Sequence, residues 1–389
     1  DPRAVPIAAA ALKDSTTQAA ALRYLAVFGG LEHSKAVFEL ARQNPSAEVL
    51  PLVIGMFATW SRQLGNVKAM ELDRVVTALQ GSSGVMAHWY VRGPMTAKNA
   101  TPPIEQIAAT LSNPRERIGS PAEWDTVIGA GLEFGIRPAP AKAATADNVW
   151  LAASEVVVPA PMAVQFLGSS TGALKVWLNG KLLFARTEAR AFVADADRFD
   201  AALSQGLNRL VVQVAPVKGQ AEFHLRFRRK SSTANHEELM QAALAKTGNA
   251  ERGRKLFLDV EKTQCLKCHR LGEQGEKIGP ALTGVGNRFA RVYIIESILE
   301  PNRTIAPSYE TLQVELKDGR IVTGVRVAET AEALTLGDAK GNKQSITRTT
   351  IDSFRPLTIS TMPEGLERTM STGDFVDLIA FLTNQKETK

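Results

Sequence analysis

Apolar positions recur at helical spacing through the first quarter of the chain and at strand spacing through its middle. From Thr16 to Phe28, the residues Ala20, Leu22, Leu25, Ala26 and Phe28 mark one helical face, ended by Gly29-Gly30. Further helices are predicted over His33–Gln43, Ser46–Gln63 and Asn66–Leu79, each bounded by Gly, Pro, Ser or Asn, and over Ile104–Leu111 behind Pro102-Pro103. Near Arg117 the pattern changes. Val156–Val158, Ala163–Phe166, Leu174–Leu178, Leu182–Phe184, Leu210–Val214 and Phe223–Phe227 are short β-branched or aromatic runs, separated by Gly168-Ser169-Ser170, Asn179-Gly180 and Gly206-Leu207-Asn208. Asn179-Gly180 predicts a tight hairpin, because both residues tolerate positive φ. After Ser231–Asn235 a polar helix begins at His236 and reads as a linker. Helical spacing then returns over Asn249–Leu258, with Gly253 and Phe257 on one face, and over Arg291–Leu299, stopped by Pro301. Strands are predicted over Thr311–Leu316, Ile321–Val327, Ala333–Leu336 and Gln344–Thr347, with turns at Asp318-Gly319 and Gly341-Asn342. A last helix is capped by Ser371 with Asp374 and carries Phe375, Leu378, Ile379, Phe381 and Leu382 as a stripe for the Gly253/Phe257 face.

These patterns divide the chain into an α-helical domain over 1–117, a β-sandwich over 118–230, a linker helix over 231–247, and an all-α C-terminal domain over 248–389 with a small β-subdomain inserted at about 308–355. A chain of 389 residues is long enough for two or three such cores. Hydrophobic residues make up 44%, which excludes wholesale disorder, and no apolar run approaches the roughly 18 residues needed to span a bilayer. The start, Asp1-Pro2-Arg3, reads as a mature product or a piece of something longer. Net charge is a mild +6, suited at most to steering an acidic redox partner, and the Arg226–Lys230 run reads as a solvated strand end. Aromatic content is 6% and no nucleic-acid module is visible, so no DNA or RNA partner is expected.

The chemistry concentrates in one place. There are only two cysteines, and they stand in Cys265-Leu266-Lys267-Cys268-His269. Two thiols at this spacing can form thioethers with the two vinyl groups on one porphyrin edge, and the next residue, His269, then lies beneath the iron as an axial ligand. Three other readings compete. A thioredoxin-like redox pair needs a βαβ context, which the surrounding pattern lacks. A zinc site needs a second ligand pair, and His33, His88, His224 and His236 are not at ligand spacing with a Cys. A chance match is the third.

The surroundings resemble known families. The Gly253/Phe257 spacing is similar to the first helix of class I cytochromes c, which packs on the last helix. Gly279-Pro280 stands ten and eleven residues after His269. The resemblance implies that the Pro280 carbonyl accepts the His269 Nδ1 proton and that Leu282 touches the haem edge. It also implies that Met362, in Thr361-Met362-Pro363 before the last helix, is the sixth ligand; Met370 and an open site are the alternatives. The whole C-terminal region, through Cys265-x-x-Cys268-His269, Gly279-Pro280-x-Leu282, Pro301…Tyr309, Asp318-Gly319…Thr323-Gly324, Ile351 and Ser360-Thr361-Met362-Pro363-x-Gly365-Leu366, resembles the haem-binding domain of planctomycete and verrucomicrobial bacteria. The middle region, through Val176–Lys181 and Leu203…Gly206–Leu210, resembles the galactose-binding-like jelly roll, and the first region resembles HEAT-type helix pairs. The expectation is an extracytoplasmic, periplasmic electron-transfer protein with one covalent haem c, partnered by a dehydrogenase or respiratory acceptor. The alternatives are the electron-accepting part of a larger, sugar-oxidising dehydrogenase, and a carbohydrate-binding module with an accessory haem.

Overall fold

The computed structural model describes residues 2–14, 17–44, 46–63, 66–98, 100, 102–116, 118, 123–138, 147–216, 221–306 and 308–386, with only the backbone over 62–71. Thr16, Arg117 and Lys389, where the sequence places boundaries, lie outside these residues. The protein mixes helices with antiparallel sheets and divides into two compact units, the first extending to Lys230 and the second beginning at Ser231. No described helix is long and apolar enough to cross a membrane.

The first unit opens with helices α1 (Val5–Ala11), α2 (Gln18–Phe28), α3 (Ser34–Gln43), α4 (Val49–Gln63) and α5 (Asn66–Ser83). Strands follow: β1 (His88–Thr96), then, beyond helix α6 (Ile104–Leu111), β2 (Asp125–Ile128), β3 (Asn148–Val158), β4 (Met162–Ser170), β5 (Gly172–Leu178), β6 (Lys181–Arg186), β7 (Asp197–Leu203), β8 (Gly206–Pro216) and β9 (Phe223–Arg229). They form a six-stranded sheet, β2-β1-β3-β8-β5-β6, and a three-stranded sheet, β7-β4-β9. One apolar core joins the inner faces: Trp89, Trp150, Val156, Val176 and Val212 from the larger sheet meet Val164, Phe166, Phe223 and Leu225 from the smaller. Trp89 sets its ring edge-on to Phe223 at 5.1 Å. The larger sheet is apolar on its outer face too, because Ile104 and Ala108 of α6 cover Leu151, Trp177 and Val211 there.

Three sequence expectations change in this unit. Within 1–117, read as helical, His88–Thr96 is a strand of the larger sheet; Trp89 and Val91 alternate into its core. β7 was not expected, because Asp197, Arg198 and Asp200 interrupt the alternation of an edge strand. The Arg226–Lys230 run is not a solvated end. Arg226 and Arg228 are buried, Arg226 Nε donating to Asp195 at 2.8 Å and Arg228 Nε to Gln165 at 3.1 Å.

The second unit contains α7 (Ala234–Ala245), α8 (Ala250–Leu258), the two-residue strands β10 (Arg270–Leu271) and β11 (Gln274–Gly275), α9 (Val285–Arg288) and α10 (Arg291–Leu299). A five-stranded sheet follows, from β12 (Glu310–Leu316), β13 (Ile321–Glu329), β14 (Ala333–Gly337), β15 (Lys343–Thr347) and β16 (Ile351–Ser360), in the order β15-β14-β13-β12-β16. Helix α11 (Thr372–Thr383) closes the chain. The inserted strands extend past residue 355 to Ser360, since β16 is mostly polar and exposed and hides its strand pattern. The segment 231–247 is more than a linker: α7 buries Leu239, Met240 and Ala243, and Arg291 caps its end by donating to the carbonyls of Ala243 at 2.7 Å and Lys246 at 3.0 Å.

Helices α8 and α11 pack in direct backbone contact. A Cβ at Gly253 would stand 1.9 Å from the Asp377 carbonyl oxygen, so only glycine lets the axes approach this far. Phe257 fills the space beside it, its ring 5.4 Å from that of Phe381. Both helix starts are capped: Asn249 accepts from the Arg252 N–H, and Ser371 with Asp374 forms a reciprocal capping box. Asp377 ties the pair together, accepting from the Asn249 N–H and from Arg252 Nε, each at 2.6 Å.

Candidate cofactor-attachment site

The attachment motif follows α8 directly. Thr263 is buried and returns its hydroxyl to the Leu256 carbonyl at 3.0 Å, and Gln264, at a φ of +59°, reverses the chain. A single 3₁₀ turn, Cys265–Lys267, then carries the first thiol and is capped by Cys268, which carries the second, and His269 N–H donates to the Cys265 carbonyl at 2.9 Å. Cys265 and Cys268 are half-buried and free, without a disulfide between them. Their thiols titrate above the usual range. Burial is the main cause for both; at Cys268 the Asp338 and Glu276 carboxylates add to it. A redox-active dithiol needs the opposite, a stabilised thiolate in electropositive surroundings.

His269 is held from a second loop. Its Nδ1 lies 2.7 Å from the Pro280 carbonyl oxygen. A carbonyl can only accept, so the proton sits on Nδ1 and Nε2 presents its lone pair. Among the described residues Nε2 has no hydrogen-bond partner. Burial holds the imidazole below its ordinary pKa, favouring the neutral ring, and the Pro280 bond offsets this only in part. Gly279 lies flat on the ring: a Cβ there would stand 2.7 Å from Cε1 and 2.9 Å from Nδ1. The N–H groups of Ile278 and Gly279 both donate to the Cys268 carbonyl, at 3.0 and 2.8 Å. Leu282 is fixed to the same loop system by its N–H on the Arg270 carbonyl at 2.9 Å.

Cys265, Cys268, His269, Gly279, Pro280 and Leu282 are thus brought together by backbone bonds. Met362 stands on a different segment, after β16 and before the 3₁₀ turn Leu366–Thr369, half-buried. Its N–H is held by Ser360 Oγ at 3.1 Å, and the neighbouring Thr361 hydroxyl meets that of Thr311 at 2.7 Å. Met370 caps that 3₁₀ turn, its N–H on the Glu367 carbonyl at 3.0 Å. Among the described residues no three His, Cys, Asp or Glu side chains converge as a metal-binding group.

The spacing gives no hint of what surrounds the turn. The β14–β15 hairpin lies against it, with Gly341 over Lys267 and Gly337 over Ile278. Glu367, almost wholly buried, faces His236 Nε2 at 3.2 Å, a contact across 131 residues that no local pattern announces.

No family model matches the chain, and no curated protein matches it. Among solved structures it is similar to part of a β-glucosidase from Kluyveromyces marxianus, at 11% identity over 41% of this chain and 17% of the other, with a TM-score of 0.24. It is also similar to an anti-sigma factor domain-containing protein from Clostridium clariflavum, at 11% identity over 38% and 43% of the two chains and a TM-score of 0.24. A β-glucuronidase from Bifidobacterium dentium matches at 18% identity over 34% and 20%, with a TM-score of 0.22. The chain therefore spans less than half of each, and likenesses of this size assign it neither fold family nor function.

Proposed function

We propose that the second unit is a mono-haem c-type cytochrome domain of the planctomycete and verrucomicrobial type, and that the chain transfers electrons outside the cytoplasm. In this reading the sandwich is a galactose-binding-like jelly roll and the helices before it are HEAT-like. The observation that carries the proposal is the geometry at His269: its Nδ1 is bound to the Pro280 carbonyl, and among the described residues its Nε2 has no hydrogen-bond partner, while burial favours the neutral ring. That is the form in which an imidazole ligates iron, with the orienting acceptor such ligands use.

The residues present fit the group. Cys265 and Cys268 supply the two thioether sulfurs from one preformed turn. Gly279 keeps the imidazole face clear of any side chain on its own loop. Pro280 fixes the ring's rotation, and Leu282 is anchored on the same loop to line the haem edge. Met362, on the loop before α11, would supply a second ligand to the iron. When bound, the haem provides one-electron exchange between ferric and ferrous iron. Thioether attachment belongs to extracytoplasmic compartments, so the proposal includes a place in the periplasm or its equivalent. The mild positive charge suits an acidic dehydrogenase or respiratory partner.

The test is expression of the full chain in a host that matures c-type cytochromes. The intact mass should exceed the peptide mass by one haem, and a Cys265→Ser, Cys268→Ser double variant should return to the bare mass. Met362→Ala should abolish the ferric band of methionine ligation while Met370→Ala leaves it. A colourless product at peptide mass refutes the proposal.

A further inference from the structure

The inserted sheet contributes to the attachment site itself. Its β14–β15 hairpin, Gly337 to Lys343, is seated on the turn between the two cysteines. A Cβ on Gly341 would stand 2.7 Å from the Lys267 carbonyl oxygen and 3.0 Å from the Lys267 Cβ, so the two chains pass at the distance only glycine allows. Gly341 also holds a φ of +88°, which restricts the position to glycine a second time. At the base of the hairpin a Cβ on Gly337 would stand 2.7 Å from the Ile278 side chain. Ile278 is the residue whose N–H grips the Cys268 carbonyl. Across the seam Lys343 Nζ pairs with Glu276 at 2.5 Å, and the Glu276 N–H donates to the Leu266 carbonyl at 3.1 Å. The hairpin is shaped for this place: Asp338 accepts the N–H groups of Lys340 and Asn342, at 2.9 and 2.8 Å.

Three separate contacts, at Lys267, Ile278 and Glu276, therefore join the insertion to the cysteine turn. We propose that the β14–β15 hairpin is a wall of the redox site, closing the Cys268 side of the attachment turn and limiting solvent and reductant access to the porphyrin edge stapled there. The part concerning the porphyrin rests on the haem reading; the part concerning the turn does not.

The experiment separates the two. In the full chain made without haem-attachment machinery, alkylation by N-ethylmaleimide is timed at Cys268 and Cys265 by peptide mass spectrometry. Lys343→Glu turns the pair repulsive while adding negative charge near a thiol that carboxylates already push up, so only an opened hairpin can raise the Cys268 rate relative to Cys265, by roughly five-fold, the size of one exposed ion pair. The double charge swap, with Glu276→Lys added, should restore the ratio, which a merely structural lesion cannot do. Gly341→Val, which overlaps Lys267 outright, should raise the ratio further. An unchanged ratio in Lys343→Glu and Gly341→Val, or an equal rise at both thiols, overturns the wall. In the haem-bearing full chain the same variants should speed reduction by ascorbate, with the swap again restoring the native rate. A colourless product from the maturing host sinks the haem reading and leaves the thiol result standing.

Discussion

The contact between α8 and α11 gives a test in which two well-measured effects oppose each other. Gly253→Ala in a free helix stabilises by about 1 kcal/mol, because alanine is the better helix former. Here the added Cβ meets the Asp377 carbonyl oxygen at 1.9 Å, its carbon at 2.5 Å and the Phe381 Cβ at 2.8 Å. Two of these atoms are backbone of α11, so no side-chain rotation relieves the overlap, and the helices must part by roughly 1 Å to reach even 3.0 Å. Overpacking of this kind costs about 1–3 kcal/mol. Moving Phe257 off Phe381 removes about 0.5–1.5 kcal/mol more. The net loss is therefore about 0.5–3.5 kcal/mol, the opposite sign to helix propensity, and amides in α8 and α11 should exchange with deuterium about 2- to 400-fold faster. Hydrogen exchange with mass spectrometry on the full chain reads this with or without haem. All five tryptophans, at 60, 89, 124, 150 and 177, lie in the first unit, so their fluorescence unfolding curve is the internal control and should not move. Unchanged or slower exchange in α8 and α11 would mean that the close approach does not exist, and the packing argument for the second unit would fail with it.

Three further outcomes are expected. Gly279→Val would drive a side chain into the His269 ring, where even a Cβ comes within 2.7 Å of Cε1, so haem-loaded yield should fall sharply and the ferric spectrum should change, while the tryptophan curve stays put. In the first unit, burial depresses His88 and His224 to about 4, the Asp195 carboxylate resisting at His224. The folded form therefore disfavours the protonated rings. Their contribution is full above the ordinary value of 6.5 and drains as pH falls toward about 4, by up to about 3 kcal/mol each. Denaturant midpoints by tryptophan fluorescence should drop between about pH 7 and pH 4.5, and His224→Gln should flatten the slope; a flat profile in the native chain refutes this. In the second unit burial would raise the Asp377 carboxyl, but Arg252 and the Asn249 N–H overcome it and hold the group below its usual value. That support is present above the unfolded carboxylate pKa of about 3.9 and disappears as pH falls below it, so Asp377→Asn should remove the acid sensitivity of α8 and α11 exchange.

What the sequence made legible follows the range of the interaction. Local signals are readable in detail: the Ser371/Asp374 box, the Asn179-Gly180 turn and the helix Arg291–Leu299 each depend on neighbours a few residues away. The Cys265–His269 motif is likewise written in five consecutive residues, and the turn that holds it is local. Strand β1 shows where periodicity gives out. Its alternation is clear over Trp89 and Val91, but it lies between helices, and its partners β2 and β3 come some 35 and 60 residues later. The buried arginines of β9 show a second limit. Composition assigns arginine to water, and partners as distant in sequence as Asp195 and Gln165 help make Arg226 and Arg228 tolerable inside.

The same distinction separates the two roles of the hairpin at Gly341. Gly341-Asn342 reads correctly as a turn, because Asp338 organises it from within. Nothing local says that the turn lands on Lys267, more than 70 residues earlier, and the residue that permits the landing is a glycine the turn already required. One constraint conceals the other. A glycine at positive φ is normally explained by its own backbone, and the closeness of a second chain becomes visible only when a Cβ is placed on it and found to have nowhere to go. An insertion between the thiol turn and the methionine loop is then best judged by what its turns touch. Here one of them touches the segment between the two cysteines, which makes the inserted sheet part of the site it interrupts.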